Sequence, residues 1–327
     1  ITINEVARDA GVSKSTVSRY LNGRYENMSV ETRERIAAVI AALDYRPNAL
    51  ARSLKQKRTH TIGAIVANIL NPFSTSVIRG VEDYCKGAGF NLILCNADED
   101  PLKEKEYIEM LTAKQIDGLI INTTGRNNDF VETVRKELPV VLIDRKVPEI
   151  SLDTVTVNNF HGASLAVDHL INLGHRRIAL FTLPYEAISP RAERVRGFRE
   201  ALAAHGIEFC PELLVHTELH QEAIVEKIRQ MMAQDQRPTA IFGTNNLMTM
   251  GLIKALKRLS IRIPQDMAVI GFDDWDWAEL IDPPVTVISQ PTYDIGFQAA
   301  SLLIKRIKSK KRPRTPSMIE YPPLLVV

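Results

Sequence analysis

Apolar residues recur along this chain with two different spacings, which predict two kinds of secondary structure. Within residues 1–46 they follow the period of an α-helix in three short stretches. These stretches carry Ile3-Val6-Ala7-Ala10, Val17-Leu21 and Ile36-Val39-Ile40-Leu43. From Ile62 onward, continuous apolar runs of strand length alternate with helical patterns, which is typical of buried parallel strands joined by helices. The pattern therefore predicts a small all-α head followed by a large α/β body.

Capping residues set the predicted ends of the three head helices. Thr2 and Glu5 have the spacing of a capping box, and Gly11 stands where glycine commonly follows a helix C-terminus. Ser13 and Ser29 are suitable N-caps for the second and third helices. Two helices joined by the short turn A10-G11-V12, with a third packed across them, form a helix-turn-helix domain. The second helix of such a domain enters the DNA major groove.

The body contains two successive series of predicted strands and helices. In the first, strands are predicted at 62–67, 91–95, 118–121 and 140–143, with helices at 74–87, 103–114 and 131–138. In the second, strands are predicted at 155–157, 177–181, 213–216, 240–242 and 268–271, with helices at 161–173, 192–205, 221–233 and 247–259. We therefore expect two doubly wound parallel-sheet subdomains, with a ligand cleft at the carboxyl ends of their strands.

Charge is unevenly distributed between the head and the body. Residues 1–58 hold 11 basic and 6 acidic side chains, although the whole chain has a net charge of only +2. A basic head on a slightly acidic body predicts a polyanion as the partner of the head. The stretch from Tyr45 to His60, YRPNALARSLKQKRTH, joins the two parts. It reads either as a basic linker or as a helix too short to be stable alone.

Composition favours a cytoplasmic protein. We find no apolar run long enough to span a membrane and no signal-peptide pattern at Ile1–Ala10. The three cysteines, Cys85, Cys95 and Cys210, are an odd number and lack CxxC spacing, which argues against disulfides and zinc. No nucleophile–histidine–carboxylate set and no phosphate-binding glycine loop is evident. The sequence therefore indicates neither an enzyme nor a metal site, and no cofactor is expected.

The second predicted helix carries the residues best placed to contact DNA bases. Lys14, Ser15 and Arg19 point away from its apolar residues Val17 and Leu21. Arginine can make a bidentate hydrogen bond to guanine, and each such pair discriminates by about 1–3 kcal/mol. A three-helix module that binds protein instead of DNA is the alternative at this point.

The stretch ITINEVARDAGVSKSTVSRYLNG, followed by ETRERI and ALDYRPNALARSL, resembles the start of lactose-repressor/galactose-repressor (LacI/GalR) regulators. The resemblance continues through IPQDMAVIGFD and ISQP in a body that is also similar to periplasmic sugar-binding proteins. It implies a helix-turn-helix domain at 1–46 and a hinge helix at 47–58. It also implies one subdomain at 59–158 plus 289–318 and a second at 159–288 plus 319–327. The implied partners are a pseudo-palindromic operator in double-stranded DNA, a second copy of the chain in a homodimer, and a small-molecule effector.

The same resemblance implies roles for individual head residues. Lys14, Ser15 and Arg19 match positions that read bases. Phosphate contacts, which position the protein without specifying sequence, match Thr2, Ser13, Thr16, Ser18, Asn22 and Arg33. In the hinge, Leu54 matches a side chain that wedges between base pairs in the minor groove, with Ala51 beside it and Lys55 near phosphate. Such a hinge is a linker when free and a helix on DNA.

Polar side chains follow several body strands and predict the lining of an effector site. Seven expected residues match effector positions in the resembling families: Phe73, Asp144, Arg145, Arg194, Asn245, Asp273 and Gln290. Arg191, as a further positive charge, and Trp275, as an aromatic surface, complete the expected set. Carboxylate, guanidinium and amide groups suit a polyhydroxylated ligand, because each hydroxyl both donates and accepts. Either Trp275 or Trp277 stacks on this ligand, or these side chains pack at the rim.

The chemical class of the effector is left open by the sequence. Three arginines could make the pocket basic, which favours a sugar acid or sugar phosphate over a neutral sugar. Asn158 and Asn246 replace aspartates that are common in the family, and so remove negative charge. The alternatives are a catabolite-control-type regulator that answers to a phosphorylated carrier protein, and a plain sugar-binding module. The leading hypothesis is a DNA-binding regulator, most simply a repressor of carbohydrate or sugar-acid genes, switched by this effector.

Overall fold

The computed structural model describes residues 1–46, 58–309 and 315–327. The chain divides into two compact units, Ile1–Thr59 and His60–Val327. The predicted hinge at 47–58, with Ala51, Leu54 and Lys55, lies outside the described residues except for Arg58.

The described part of the first unit contains three helices that begin at the predicted caps: α1 (Ile3–Asp9), α2 (Lys14–Leu21) and α3 (Val30–Ala42). Thr2 and Glu5 form the reciprocal capping box, and the hydroxyls of Ser13 and Ser29 accept from the amides of Thr16 and Thr32. The core of the unit holds Val6, Ala7, Ala10, Val17 and Ile36. The predicted helix-turn-helix architecture is confirmed.

The second unit contains two six-stranded sheets within its described residues. The first sheet has the order β11-β5-β4-β3-β1-β2, and all of its strand pairs are parallel. Its strands are β1 (Thr61–Val66), β2 (Asn91–Asn96), β3 (Gly118–Ile121), β4 (Val140–Ile143), β5 (Asp153–Val157) and β11 (Met318–Tyr321). Its helices are α4 (Pro72–Ala88), α5 (Pro101–Ala113), α6 (Asn128–Glu137) and α12 (Thr292–Lys308).

The second sheet repeats this arrangement with the order β12-β10-β9-β8-β6-β7. Its strands are β6 (Ile178–Thr182), β7 (Leu214–His216), β8 (Ala240–Gly243), β9 (Ala268–Phe272), β10 (Thr286–Ser289) and β12 (Leu324–Val326), of which only β12 runs antiparallel to its neighbour. Its helices are α7 (Asn159–Asn172), α8 (Ser189–Ala204), α9 (Gln221–Met232), α10 (Asn246–Arg258) and the short α11 (Asp276–Glu279). A 3₁₀ turn, Pro211–Leu213, precedes β7. The doubly wound α/β body is confirmed.

The chain crosses between the two subdomains three times. The first two crossings follow Val157 and Ser289, close to the expected positions. The third crossing was predicted after residue 318, and that prediction was wrong by a few residues. The strand Met318–Tyr321 pairs with Asp153–Val157, so the chain changes sheet only at Pro322-Pro323. The predicted strand at 155–157 was grouped with the second series because of its place along the chain. In the structure this strand, Asp153–Val157, pairs with Val140–Ile143 and belongs to the first sheet.

Close helix packing holds the returning helix α12 in the first subdomain. Gly80 on α4 and Gly296 on α12 lie against each other's helix, and a Cβ atom at Gly296 would clash with the carbonyl oxygen of Val77. Glycine is therefore required where these two helices cross. The contact fixes α12, and with it the crossing segment that carries Gln290 to the cleft.

Candidate functional site

The exposed face of α2 carries the residues predicted to read bases. Lys14, Ser15 and Arg19 are exposed, while Val17 on the opposite face is fully buried. Within the described residues, the side chains of Lys14 and Arg19 have no ion pair or hydrogen-bond partner, in contrast to Arg35, whose Nε donates to the Ala10 carbonyl. Two basic side chains are thus available on one helical face.

The residues predicted to contact phosphate are also placed at the surface of the head. Thr2 and Ser13 are exposed N-caps, and the Ser13 hydroxyl lies 2.7 Å from Ser15 Oγ and 2.8 Å from Thr16 Oγ1. Asn22 donates from its side chain to the Ser18 carbonyl, and the Arg33 guanidinium stacks 4.2 Å from the centre of the Tyr25 ring. These hydroxyl, amide and guanidinium groups are of the type that bind phosphate oxygens.

A cleft between the two subdomains contains eight of the nine residues predicted to bind effector. Those eight are Phe73, Asp144, Arg145, Arg191, Arg194, Asn245, Asp273 and Gln290. They come from both sheets and converge because parallel strands present their carboxyl ends at one edge. Lining residues that the sequence reasoning missed include Asn68, Asn71, Glu99 and Asn122. Glu99 and Asn122 follow β2 and β3, so the strand-end rule that identified Asp144 would have found them too.

Trp275 does not line the cleft. Its indole packs against the core of the first subdomain, although the residue belongs to the second, and its Nε1 has no partner among the described residues. Trp277 lies nearby and donates from Nε1 to Asn246 Oδ1 over 2.7 Å. Of the two alternatives for Trp275, the structure matches rim packing between the subdomains.

Arg194 occupies the interior of the cleft in a fixed orientation. Its Nε donates to Asn159 Oδ1 over 2.9 Å, another nitrogen donates to the Thr244 carbonyl, and its guanidinium stacks 3.6 Å from the centre of the Phe272 ring. Burial lowers the pKa of Arg194, and the negative charges of Asp273 and Asp144 oppose that effect. Because this guanidinium is preorganised, it can bind a ligand oxygen without losing further side-chain freedom.

Two aspartates follow equivalent strands of the two sheets. Asp144 follows β4 and Asp273 follows β9, and both have left-handed backbone conformations with φ of 64° and 80°. Asp273 accepts hydrogen bonds from the Gln290 side chain and from the Asn246 amide. Among the described residues, the Asp144 carboxylate accepts one long side-chain hydrogen bond, from Asn122 Nδ2 at 3.4 Å. Burial raises the pKa of Asp144, and the positive charges of Arg194 and Arg145 offset only part of this rise. Within the described chain, the carboxylate therefore has few hydrogen-bond donors for its charge.

A second ion-pair cluster lies at one end of the cleft and was not anticipated. Glu99 Oε1 accepts from Arg145 over 2.5 Å and from Arg191 over 3.0 Å. Burial disfavours the charge of Glu99, but the two arginines outweigh this and lower its pKa. Glu99 and Arg145 belong to the first subdomain and Arg191 to the second. With Glu99 included, the cleft has three arginines and three carboxylates, so the expected excess of positive charge is not present overall.

Three polar atoms of the cleft are buried without a hydrogen-bond partner among the described residues: Asn122 Oδ1, Arg145 Nε and Gln290 Oε1. A buried polar atom without a partner costs about 1–3 kcal/mol. Such atoms are usually paired in folded proteins, so these three are available to bind a ligand or water.

The described residues show neither a cluster of metal ligands nor a membrane-spanning helix. In the described ranges, no group of three or more histidine, cysteine, aspartate or glutamate side chains is arranged to hold a metal ion. None of the helices in these ranges combines the length and the apolar character needed to cross a bilayer.

Comparison with known proteins identifies the family. Residues 59–321 match the model described as periplasmic binding proteins and sugar binding domain of LacI family, and residues 2–48 match the model of bacterial regulatory proteins, lacI family. The chain belongs to the LacI family. It is therefore a transcriptional regulator with a DNA-binding domain, and it is not an enzyme.

Individual LacI-family proteins are similar over nearly the full length. The HTH-type transcriptional regulator KdgR of Bacillus subtilis (strain 168) is 40% identical over 314 residues, which is 95% of this chain and 92% of that protein. A transcriptional regulator CelR–cellobiose complex is 29% identical with a TM-score of 0.74, covering 100% of this chain and 98% of that one. The Lac repressor dimer bound to operator and the anti-inducer ONPF is 24% identical with a TM-score of 0.87 and the same coverage, and shares the fold.

Proposed function

We propose that the cleft binds a small polyhydroxylated acid, such as a sugar acid, and that this effector changes the affinity of the head for its operator. The observation that carries the proposal is the cleft itself, where eight predicted residues from two subdomains converge around three buried polar atoms that lack partners. A ligand with several hydroxyl groups would supply both donors and acceptors to these atoms.

The distribution of charge within the cleft favours an acid over a neutral sugar. The charges of Asp144 and Asp273 both act on Arg194, whereas Arg145 and Arg191 both donate to the carboxylate of Glu99. The Glu99 end of the cleft thus has two guanidinium groups in contact with one carboxylate, although Asp144 also acts on Arg145 and Arg191 and the total charge is balanced. A sugar acid matches both ends, with hydroxyl donors on the aspartates and its carboxylate toward Arg145 and Arg191. A neutral sugar matches the aspartates alone, and the CelR–cellobiose complex shows that a similar regulator holds a sugar.

For the head, we propose that Lys14, Ser15 and Arg19 read bases. Thr2, Ser13, Thr16, Ser18, Asn22 and Arg33 then fix the position of α2 on the phosphates. Leu54 would wedge into the minor groove, flanked by Ala51 and Lys55. The available Lys14 and Arg19 side chains on the exposed face of α2 support the base-reading part.

The regulator is proposed to act in the cytoplasm as a homodimer on a pseudo-palindromic operator, most simply as a repressor. Two-fold symmetry in the protein is matched by two half-sites in the DNA. The Lac repressor dimer, bound to its operator, shows that this fold supports such an assembly. The effector would change the relative population of open and closed arrangements of the two subdomains, because Asp144 and Arg145 come from one and Arg194 and Asp273 from the other.

Tryptophan fluorescence tests effector binding directly, because Trp275 spans the two subdomains beside the cleft. We expect at least one member of a panel of hexoses, uronic acids and aldonic acids to change the fluorescence saturably. Asp273→Asn should weaken that binding by roughly tenfold or more, because a charge-assisted hydrogen bond to a ligand hydroxyl is lost. Asp274→Asn is the matched control, since its carboxylate does not line the cleft.

Binding that is equally strong in Asp273→Asn would contradict the proposed site. Indifference to the whole panel, checked by calorimetry, would contradict a small-molecule effector. It would also favour the alternative of a phosphorylated carrier protein as corepressor.

A further inference from the structure

Glu99 occupies the Arg145–Arg191 end of the cleft in a position that an acidic ligand would need. Its Oε1 accepts from both Arg145 and Arg191, one guanidinium from each subdomain. The ion pairs are only partly shielded, since the Glu99 side chain is 36% exposed while those of Arg145 and Arg191 are 7% and 16% exposed. The more accessible member of the cluster is thus the carboxylate.

The arginines remain fixed by other contacts if Glu99 moves. Arg145 donates from Nη1 to the Thr123 carbonyl over 2.7 Å, and Arg191 donates from Nη1 to the Pro184 carbonyl over 3.0 Å. Thr123 belongs to a loop held by the fully buried Glu104, which accepts from the Thr124 amide and from the hydroxyls of Thr123 and Thr124. Arg145 also has a buried Nε without a partner in the described part of the chain. The pair is therefore built to hold an oxyanion independently of Glu99.

Space for a displaced Glu99 exists on its outer side. A second pocket adjoins the cleft and shares with it Glu99, Ile188 and Arg191. The outer pocket is also lined by Arg126, an exposed side chain for which the described ranges contain no ion pair. Glu99 can therefore turn from the inner cleft toward this pocket without becoming buried and unpaired.

The backbone of Glu99 has an unusual conformation that aims it at the arginines. Its φ of 59° is left-handed, as is that of Asp98 at 53°, and its amide donates to the Ala67 carbonyl over 2.7 Å. Residues with a Cβ atom rarely adopt this conformation, because it is sterically unfavourable. Such strain is common at ligand sites, where it positions a side chain.

We propose that Glu99 is a specificity-determining residue, an internal counter-anion that pairs with Arg145 and Arg191 when no ligand is bound and competes with the carboxylate of an acidic effector for them. The inference rests on the proposed effector function and adds a residue and an orientation to it. The ligand carboxylate lies at the Arg145–Arg191 end, and its hydroxyls lie toward Asp144 and Asp273. Glu99 reduces the affinity for acids while leaving neutral sugars unaffected, since only a negative ligand competes for the two guanidinium groups.

Matched pairs of ligands test this role. D-glucose with D-glucuronate, and D-galactose with D-galacturonate, differ only in the group at C6. Affinities of the wild-type protein and the Glu99→Gln variant are measured for each member by calorimetry. We expect Glu99→Gln to bind the uronates about tenfold more tightly than wild type does. This factor corresponds to the low end of the interaction energies between close charge pairs. The affinities for the hexoses should stay within about threefold of wild type. Glu186→Gln is the matched control, because Glu186 lines only the outer pocket.

An equal change for both members of a pair, or weaker uronate binding in Glu99→Gln, would overturn the inference, because Glu99 would then be shown to position the arginines instead of competing for them. Uronates that bind neither protein, while hexoses bind both, would overturn it as well. Equal changes or weaker uronate binding would leave the proposed effector function standing, whereas uronates that bind neither protein would also overturn its preference for an acid over a neutral sugar. Absence of binding by every hexose, uronate and aldonate, with unchanged thermal unfolding, would overturn both proposals together.

Discussion

Three carboxylates of the cleft, Glu99, Asp144 and Asp273, share a left-handed backbone conformation, with φ of 59°, 64° and 80°. Each follows a β-strand and lines the cleft. Aspartate adopts this conformation more readily than most residues, so Glu99 is the least expected of the three.

Asp144 gives a pH-dependent prediction at this scale. Burial raises its pKa above the usual 3.8, so the folded state binds the proton more tightly than the unfolded state. The stability gained from protonated Asp144 is therefore fully present below pH 3.8. It is lost as the pH rises through the pKa that Asp144 has in the folded state. Asp144→Asn should raise the free energy of unfolding at pH 7, and asparagine tolerates the same left-handed backbone.

The check is urea unfolding of both proteins between pH 3.5 and 8. The stability difference should shrink toward zero at the acid end. A difference that is constant with pH, or an Asn variant that is less stable at pH 7, would show that the carboxylate is well satisfied in the fold.

Several residues of the site could be predicted because of where they stand in the sequence. Asp144, Arg145 and Asp273 directly follow apolar strands, and the carboxyl ends of parallel strands face the ligand. Trp275 shows the limit of that rule. Its position beside Asp273 is right for the cleft, but the direction of a loop side chain depends on which apolar surface is nearest in three dimensions. That surface is the core of the other subdomain.

Helix α2 presents the residues that are proposed to contact bases. Lys14→Ala combined with Arg19→Ala should lower affinity for a preferred duplex by roughly a hundredfold, because each lost base contact costs about 1–3 kcal/mol. Weak, salt-sensitive binding to any DNA should persist, since phosphate contacts remain.

Gel-shift titration on the preferred duplex and on a scrambled one measures this change. Lys227→Ala combined with Lys257→Ala removes the same charge from exposed helices of the body and is the matched control. Discrimination between the two duplexes that survives in the Lys14/Arg19 variant would refute the assignment.

Most elements with strong local signals were predicted, but the 17-residue helix Thr292–Lys308 was missed, and so were strands without such signals. Ser13 and Ser29 cap α2 and α3 as expected because N-capping is a local interaction. The strands Thr286–Ser289, Met318–Tyr321 and Leu324–Val326 were not predicted, since each is short and next to proline. They become strands through pairing with distant segments such as Asp153–Val157, a tertiary effect that overrides local preference.

At the scale of the whole molecule, helix α8 connects the cleft to the contacts between subdomains. Its first turns carry Arg191 and Arg194, and also Ser189 and Glu193. Ser189 and Glu193 bind Lys146 of the first subdomain. The Lys146 amide donates to Ser189 Oγ over 2.7 Å, and its Nζ lies 2.8 Å from Glu193 Oε1. Burial disfavours the charge of Lys146, but Glu193 and Glu320 outweigh this and raise its pKa. A ligand on Arg191 and Arg194 therefore acts on the same helix that joins the subdomains.

A regulator of this kind requires that binding of an effector in the cleft changes the affinity of the head for DNA. Fluorescence anisotropy tests this on a labelled duplex that the protein itself has selected from a random pool. The titration is performed with and without the ligand that saturates the tryptophan signal, for wild type and for Asp273→Asn. We expect saturating ligand to change the wild-type Kd by about tenfold or more, within the usual range of allosteric coupling. Asp273→Asn should bind the free duplex normally and respond little at the same ligand concentration. A wild-type Kd that is unchanged when the cleft is fully occupied would contradict the account.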